Sequence, residues 1–485
     1  MPPLPPSQSR LRRIFKWTLL CLIVVGGIWV GVIIWWQSSQ RQIGPQEVVL
    51  YLVALPAAVL AGLAAFHWYR HRNAAGLNAP ANLSADDVNA GSTDKVENDH
   101  TELAILAAWC LTSAGNNLDD FHQALLEKKH RPVPDASLPG DDGYPLFAAR
   151  IQDLDAALQD ENADSPARAA FLRTHAMLSR LLEQVETDWP LAAPALRHTA
   201  TDSGLAILRG SEPAARSREP QLQLHVKLIT PADATSGEQQ QALDWLNETA
   251  AALPVAAGEL HVEVIPAQDD ATALLLAERF SKEAGSSAKA LLIIAAESSL
   301  CPSTVARLET DQRLFSHHRP HGLMPGEAAF AILCVNRQAM PFALLEPACI
   351  LRRVVSCRRT ASADDGGKPS HSSLQAVTAA ALEAANLRGE AIGAIACDAD
   401  HRSSRVLECI GAMLQHTPQL DAIASRLAVN EACGHTGAAS GAGGWVAGIA
   451  QTQRTGQPVL VFNVSHAFER AAAVLLPASE YAPPA

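Results

Sequence analysis

Two stretches of the chain gather side chains that can do chemistry. Cys397-Asp398-Ala399-Asp400-His401 closes a short apolar run that starts near Ala391, and Gly434-His435-Thr436-Gly437 opens a run rich in glycine and alanine. A cysteine at a strand end can be a reactive thiol, and it can equally be a small buried one. Asp398, Asp400, His401 and His435 are hard or borderline donors of the kind that hold a metal ion. Their spacing does not demand one, so no metal and no cofactor is expected. The sequence has no P-loop, no GxGxxG after a strand, no HExxH and no GxSxG.

The elements that must position these residues read as alternating strands and helices. Strand patterns cover Leu103 to Leu111, Leu222 to Ile229, Leu260 to Ile265, Ala290 to Ala296 and Ala328 to Val335. Three more fall at Ala391 to Ala396, Val459 to Val464 and Ala471 to Leu476. Helical periodicity covers Asn117 to Lys128, Ala167 to Val185, Ala271 to Glu283, Ser372 to Asn386 and Ser404 to Leu414, and a glycine-rich helix begins near Gly437. Pro132 to Tyr144 and Ser362 to His371 read as loops. Alternation of buried strands and helices implies an α/β fold.

The chain has 485 residues, 48% hydrophobic and only 5% aromatic, with a net charge of −12. That composition supports a large packed core and excludes a disordered chain. No basic patch with interleaved aromatics is present, which argues against nucleic acid as a partner. The nine cysteines show no CxxC or zinc-type spacing and read as reduced thiols in a cytosolic compartment.

Residues 14–36 and 48–69 are each apolar and long enough for a bilayer, which needs roughly 20 residues. Trp17, Trp35, Trp36, Trp68 and Tyr69 stand at their ends, as interfacial aromatics do. Arg10, Arg12, Arg13 and Lys16 precede the first span, Arg70 and Arg72 follow the second, and the connecting loop carries only Arg41. The positive-inside rule then places residues 1–13 and the C-terminus in the cytoplasm, with a hairpin in the inner membrane. Residues 73–100 read as a flexible tether, followed by one large soluble region.

Four segments of that region, in order, resemble the β-ketoacyl synthase branch of the thiolase-like family. They are Leu106 to Phe121 with its Thr-Ser-Ala-Gly turn, the buried run that ends Ala-Ala-Glu297-Ser298, Leu323-Met-Pro-Gly326-Glu327-Ala-Ala, and Gly434-His435-Thr436-Gly437-Ala-Ala-Ser-Gly441. The resemblance implies a thiolase-like α/β fold, layered αβαβα and made of two similar halves, roughly 101–340 and 341–485, preceded by the transmembrane hairpin. It also implies a homodimer.

What the resemblance implies for catalysis departs from the family pattern residue by residue. The nucleophilic cysteine is expected near Gln268, Asp269 or Asp270, yet no cysteine lies between Cys110 and Cys301. Asp269 and Asp270 suit the first turn of a helix instead. The first family histidine falls on Cys397 or Asp398, and His401 reaches that slot only with a shift of register. The second is kept as His435, while Asn430 stands where a basic residue is expected five positions earlier. Ser465-His466-Ala467-Phe468-Glu469-Arg470 replaces a glycine turn. The candidate site is therefore His435 and Cys397 for catalysis, with Asp398, His401 and Asn430 for ligand contact.

Three functions follow as expectations. One is a non-catalytic binding or adaptor module for a protein, an acyl ligand or an acyl carrier protein, serving a membrane or secretion assembly. Another is an acyltransferase or condensing-type enzyme of altered mechanism on acyl thioesters. The last is a domain that only pairs the membrane hairpins.

Overall fold

The computed structural model describes residues 102–140, 143–152, 154, 166–192, 222–253, 259–267, 271–283, 287–365 and 370–480. The two candidate membrane spans, the tether and Gln268 to Asp270 lie outside the described residues. Among the described residues, no helix is long and apolar enough to cross a membrane.

The N-terminal half runs β1 (Leu103–Thr112), α1 (Leu118–Glu127), β2 (Val133–Pro139), β3 (Pro145–Ala148), α2 (Pro166–Thr187), β4 (Gln223–Thr230), α3 (Ser236–Ala252), β5 (Leu260–Pro266), α4 (Thr272–Glu283), β6 (Lys289–Ser298), α5 (Pro302–Thr310) and β7 (Glu327–Val335). The C-terminal half follows as β8 (Cys349–Leu351), β9 (Val355–Arg358), α6 (Ser372–Ala384), β10 (Ala394–Cys397), α7 (Ser403–His416), β11 (Arg426–Ala428), α8 (Val429–Cys433), α9 (Ser440–Thr455), β12 (Val459–Asn463) and β13 (Glu469–Pro477).

The strands run β5-β4-β6-β7-β1 in one half and β11-β10-β12-β13-β9 in the other. Setting aside the β2–β3 hairpin and counting β8 and β9 as one broken first strand, both halves read third, second, fourth, fifth, first. In each, the fifth strand is antiparallel to its neighbours. The short β8 pairs with both β1 and β13 and joins the two halves. Every residue of β7, β10 and β12 is buried, as expected for strands covered on both faces.

Helices α4 and α9 pack on one another and share a core with Phe330, Ile293, Val461 and Ala473. Helices α2, α3, α6 and α7 cover the opposite sheet faces through Leu181, Leu246, Leu374 and Met413. This gives helix, sheet, helix, sheet, helix layering, with α4 and α9 in the middle. Small residues let α9 lie close to its sheet: a Cβ at Gly443 would press on the Phe330 ring.

The β2–β3 hairpin and α3 depart from the sequence expectation, and α5, β8, β9, β11 and α8 are further elements that the pattern does not mark. Val133–Pro139 and Pro145–Ala148 pair as the β2–β3 hairpin where a loop is expected over Pro132 to Tyr144. Its prolines are tolerated because each strand has only one partner, and Gly143 takes φ +78° in the turn. The periodic pattern also does not single out α3. Its start is marked by a capping box, in which Glu238 Oε2 accepts from Thr235 N at 2.8 Å while Thr235 Oγ1 accepts from Glu238 N.

Candidate functional site

The chemistry-bearing residues sit at the carboxyl ends of the parallel strands, where open α/β sheets hold ligands. The turn that carries His435 is built by two glycines. Gly434 has φ +69° and Gly437 φ +51°, and a Cβ at Gly437 would overlap the Glu297 carboxylate. His435 N donates to Met324 O at 2.7 Å, and His435 O accepts from Gly326 N at 3.1 Å. The residue is thereby fixed against the Leu323-Met-Pro-Gly326 segment. Its Nδ1 is buried without a partner. Burial, and then the Arg402 guanidinium, push the imidazole pKa down to about 4, so it is neutral at physiological pH.

His401 stands edge-on to Phe315, with ring centroids 5.4 Å apart, and its Nε2 is also buried without a partner. Burial lowers its pKa. Asp400 and Arg402 act on both imidazoles, so the two histidines share one electrostatic neighbourhood.

The other three candidates are tied into the fold. Cys397 is fully buried at the end of β10, and its thiol accepts a hydrogen bond from Cys409, which lowers its pKa and raises that of Cys409. Asp398 is fully buried as well. Its carboxylate accepts from Val464 N at 2.6 Å, Ser465 N at 3.2 Å and Asn463 Nδ2 at 3.2 Å. Burial raises its pKa to about 6. Asn430 Nδ2 donates to Ser440 Oγ at 3.2 Å, and Thr436 Oγ1 donates to Asn430 Oδ1 at 3.4 Å. That knot fastens the His435 turn to the start of α9.

An arginine network that no sequence motif marks stands beside these residues. Ser465 O accepts from Arg402 Nη2 at 3.1 Å and from Arg405 Nε and Nη2 at 3.2 and 3.0 Å. Asp400 holds Arg402 Nε at 2.8 Å, and Asp364 pairs with Arg402 and Arg405 at 2.9 and 2.8 Å. Glu408 grips Arg470 by two bonds of 2.9 Å and also pairs with Arg359 at 2.8 Å. Arg405 and Arg470 are both fully buried. One signal could have found part of this: Arg405, Glu408, Cys409, Ala412 and Met413 form a single inward stripe of α7.

The network occupies the segment where the resemblance implies a glycine turn. Among the described residues, non-glycine positive φ occurs only at Lys128, Gln312 and Asn386, so Ser465 to Arg470 adopt ordinary backbone. The segment is clamped from one side by Asp398 and from the other by Arg402 and Arg405.

Next to the network lies an open cavity of about 610 Å³. Arg313, Arg319, Arg402, His318 and His321 line it, against Asp364 and Asp365. Among the described residues, no group of three or more metal-ligating side chains is arranged around a common point. The expected nucleophile position lies outside the described residues. Thr272, just beyond it, opens α4.

No family model matches the sequence, and no curated protein matches it. Solved structures do match. The ishigamide ketosynthase/chain length factor overlays with a TM-score of 0.50 at 15% identity, over 78% of this chain and 99% of that one. The ketosynthase from module 6 of the bacillaene synthase of Bacillus subtilis 168 gives 0.52 at 14% identity, over 79% and 72%. An oxazolomycin ketosynthase domain from Streptomyces albus JA3453 gives 0.50 at 13% identity, over 79% and 75%. At these identities the likeness is one of fold, and the described part of the chain has the thiolase-like fold of ketosynthase domains.

Proposed function

We propose that the chain is a ketosynthase-like binding module that holds a carrier-linked acyl ligand, or the protein that bears it, without condensing it. The observation that carries this reading is the clamped segment that begins at Val464 and Ser465. Asp398, Arg402 and Arg405 hold Val464 and Ser465 in place where the resemblance implies a catalytic histidine and a glycine turn. The absence of any cysteine between Cys110 and Cys301 supports it from the sequence. The adjoining arginine-lined cavity suits a phosphate, since guanidinium groups bind phosphate oxygens with charge-assisted, often paired hydrogen bonds.

The same reading keeps the module at the inner membrane by the hairpin at 14–36 and 48–69, with both termini in the cytoplasm. A tag after Ala485 that reacts with an outside-only reagent in intact cells contradicts this placement. A homodimer is part of the reading. Among the described strands β5 has no partner on its outer side, and an open edge is a template for a second copy. Leu407 and Leu414, seven residues apart on α7, are exposed and offer an apolar stripe to a protein partner.

The test is calorimetric titration of phosphopantetheine into the full chain in nanodiscs, at low and high salt. Binding that weakens with salt, and that falls about tenfold in the Arg313→Ala/Arg319→Ala double variant, is expected. Binding indifferent to both salt and the double variant sinks the anion-site reading.

A further inference from the structure

A second cavity, of about 240 Å³, lies on the outer side of the N-terminal sheet, under α2, α3 and α5. It is separate from the arginine-lined cavity: none of its lining residues is shared with it. Its walls are apolar and aromatic. Leu178, Leu228 and Ala242 belong to the core, and Trp245 stands against His175 with ring centroids 4.7 Å apart. A flat apolar group packs well on such a surface.

Its polar groups are of two kinds. Thr230, at the carboxyl end of β4, is only 9% exposed, and its Oγ1 is buried without a hydrogen-bond partner. A buried hydroxyl left unpaired is unfavourable, so a ligand atom that bonds to it gains an advantage. The second kind is charged. Arg307 and Asp233 form a partly exposed pair at 3.0 Å, beside Ser303 and Thr304 in the first turn of α5. Glu238 also lines the cavity, but its carboxylate is engaged by Thr235 N and Oγ1. Glu297 accepts from Ala438 N at 2.6 Å.

This charge pattern selects among ligands. A plain anion would compete with Asp233 for Arg307, and a plain cation would compete with Arg307 for Asp233. A zwitterion inserted across the pair satisfies both and strands neither. Its carboxylate meets Arg307 and the amide end of α5, and its ammonium meets Asp233.

We propose that this cavity is a binding site for a small zwitterion with a flat apolar body, that is, an apolar or aromatic α-amino acid. The site is independent of the carrier-arm reading above. Loss of phosphopantetheine binding leaves it standing, and its own failure leaves that reading untouched.

The test is calorimetry on the full chain with three probes: L-phenylalanine, phenethylamine, which lacks the carboxylate, and 3-phenylpropionate, which lacks the ammonium. L-Phenylalanine is expected to bind one to one and each truncated probe about tenfold or more weaker. Arg307→Ala is expected to weaken L-phenylalanine about tenfold. Thr230→Val, which keeps the shape and removes the hydroxyl, is expected to weaken it severalfold with an unchanged circular-dichroism spectrum. Absence of saturable L-phenylalanine binding overturns the proposal. So does equal binding of either truncated probe, or binding unchanged in both variants.

Discussion

The two halves of the molecule share one strand order and differ at the ends of their strands. In the N-terminal half, β4 and β6 end at Thr230 and Ser298 beside a cavity with an unpaired hydroxyl, an aromatic wall and an exposed ion pair. In the C-terminal half, β10 and β12 end at Cys397 and Asn463, and the space beyond them is filled by Asp398, Arg402, Arg405, Glu408 and Arg470. The same topology thus ends in a partly apolar recess on one side and, on the other, in buried charge packed beside an arginine-lined cavity. Topology fixes where a site can be, and the side chains at the strand ends decide whether it remains one.

The largest effect that can break this comparison is expected at Glu408. Removing it by Glu408→Ala strands the fully buried Arg470 together with Arg359, and leaving a buried charge uncompensated costs about 3–5 kcal/mol. Chemical denaturation of the variant measures the loss. By comparison, the more exposed Arg358–Glu469 pair contributes about 0–1 kcal/mol, and Arg358→Ala is expected to move the midpoint little. Equal effects from the two variants would mean that the network is not closed to water.

A subtler distinction lies in pH. His435 titrates near 4 in the folded chain, below its unfolded value of 6.5. The unfolded state therefore binds more protons between those values, and stability rises with pH across that window. Glu297 is pushed up to about 7 by burial, above its unfolded 4.5, so the folded state binds more protons and stability falls as pH rises from 4.5 to 7. Denaturant midpoints measured from pH 4 to pH 8 are expected to lose their rising component in His435→Asn and their falling component in Glu297→Gln. Parallel curves for the wild type and both variants would contradict the burial argument.

Much of the fold is legible in the sequence because buried strands are written as apolar runs. Ala290 to Ala296 and Ala328 to Val335 are matched closely by β6 and β7, and the Gly434 to Gly441 motif correctly marks the start of α9. The β2–β3 hairpin is not legible, since Pro134, Pro139 and Gly140 look like loop residues until a single partner strand makes them tolerable. The site is legible only in part. His435 is marked by its motif, whereas His401 reaches the first histidine slot only with a shift of register. Cys397 and Asp398 are chemically suggestive in sequence, but only packing places the thiol against Cys409 and the carboxylate on the 464–465 amides. The arginine network escapes because its partners come from distant segments: Asp364 meets Arg402, and Glu408 meets Arg470.

The central claim is that this ketosynthase-like fold binds without condensing. Incubating the full chain in nanodiscs with an acyl thioester and malonyl thioester, followed by intact-mass analysis and assay of released carbon dioxide, tests it most directly. The account predicts no covalent acyl adduct and no release above the protein-free control. A stoichiometric adduct, or carbon dioxide release abolished by His435→Ala, would contradict it.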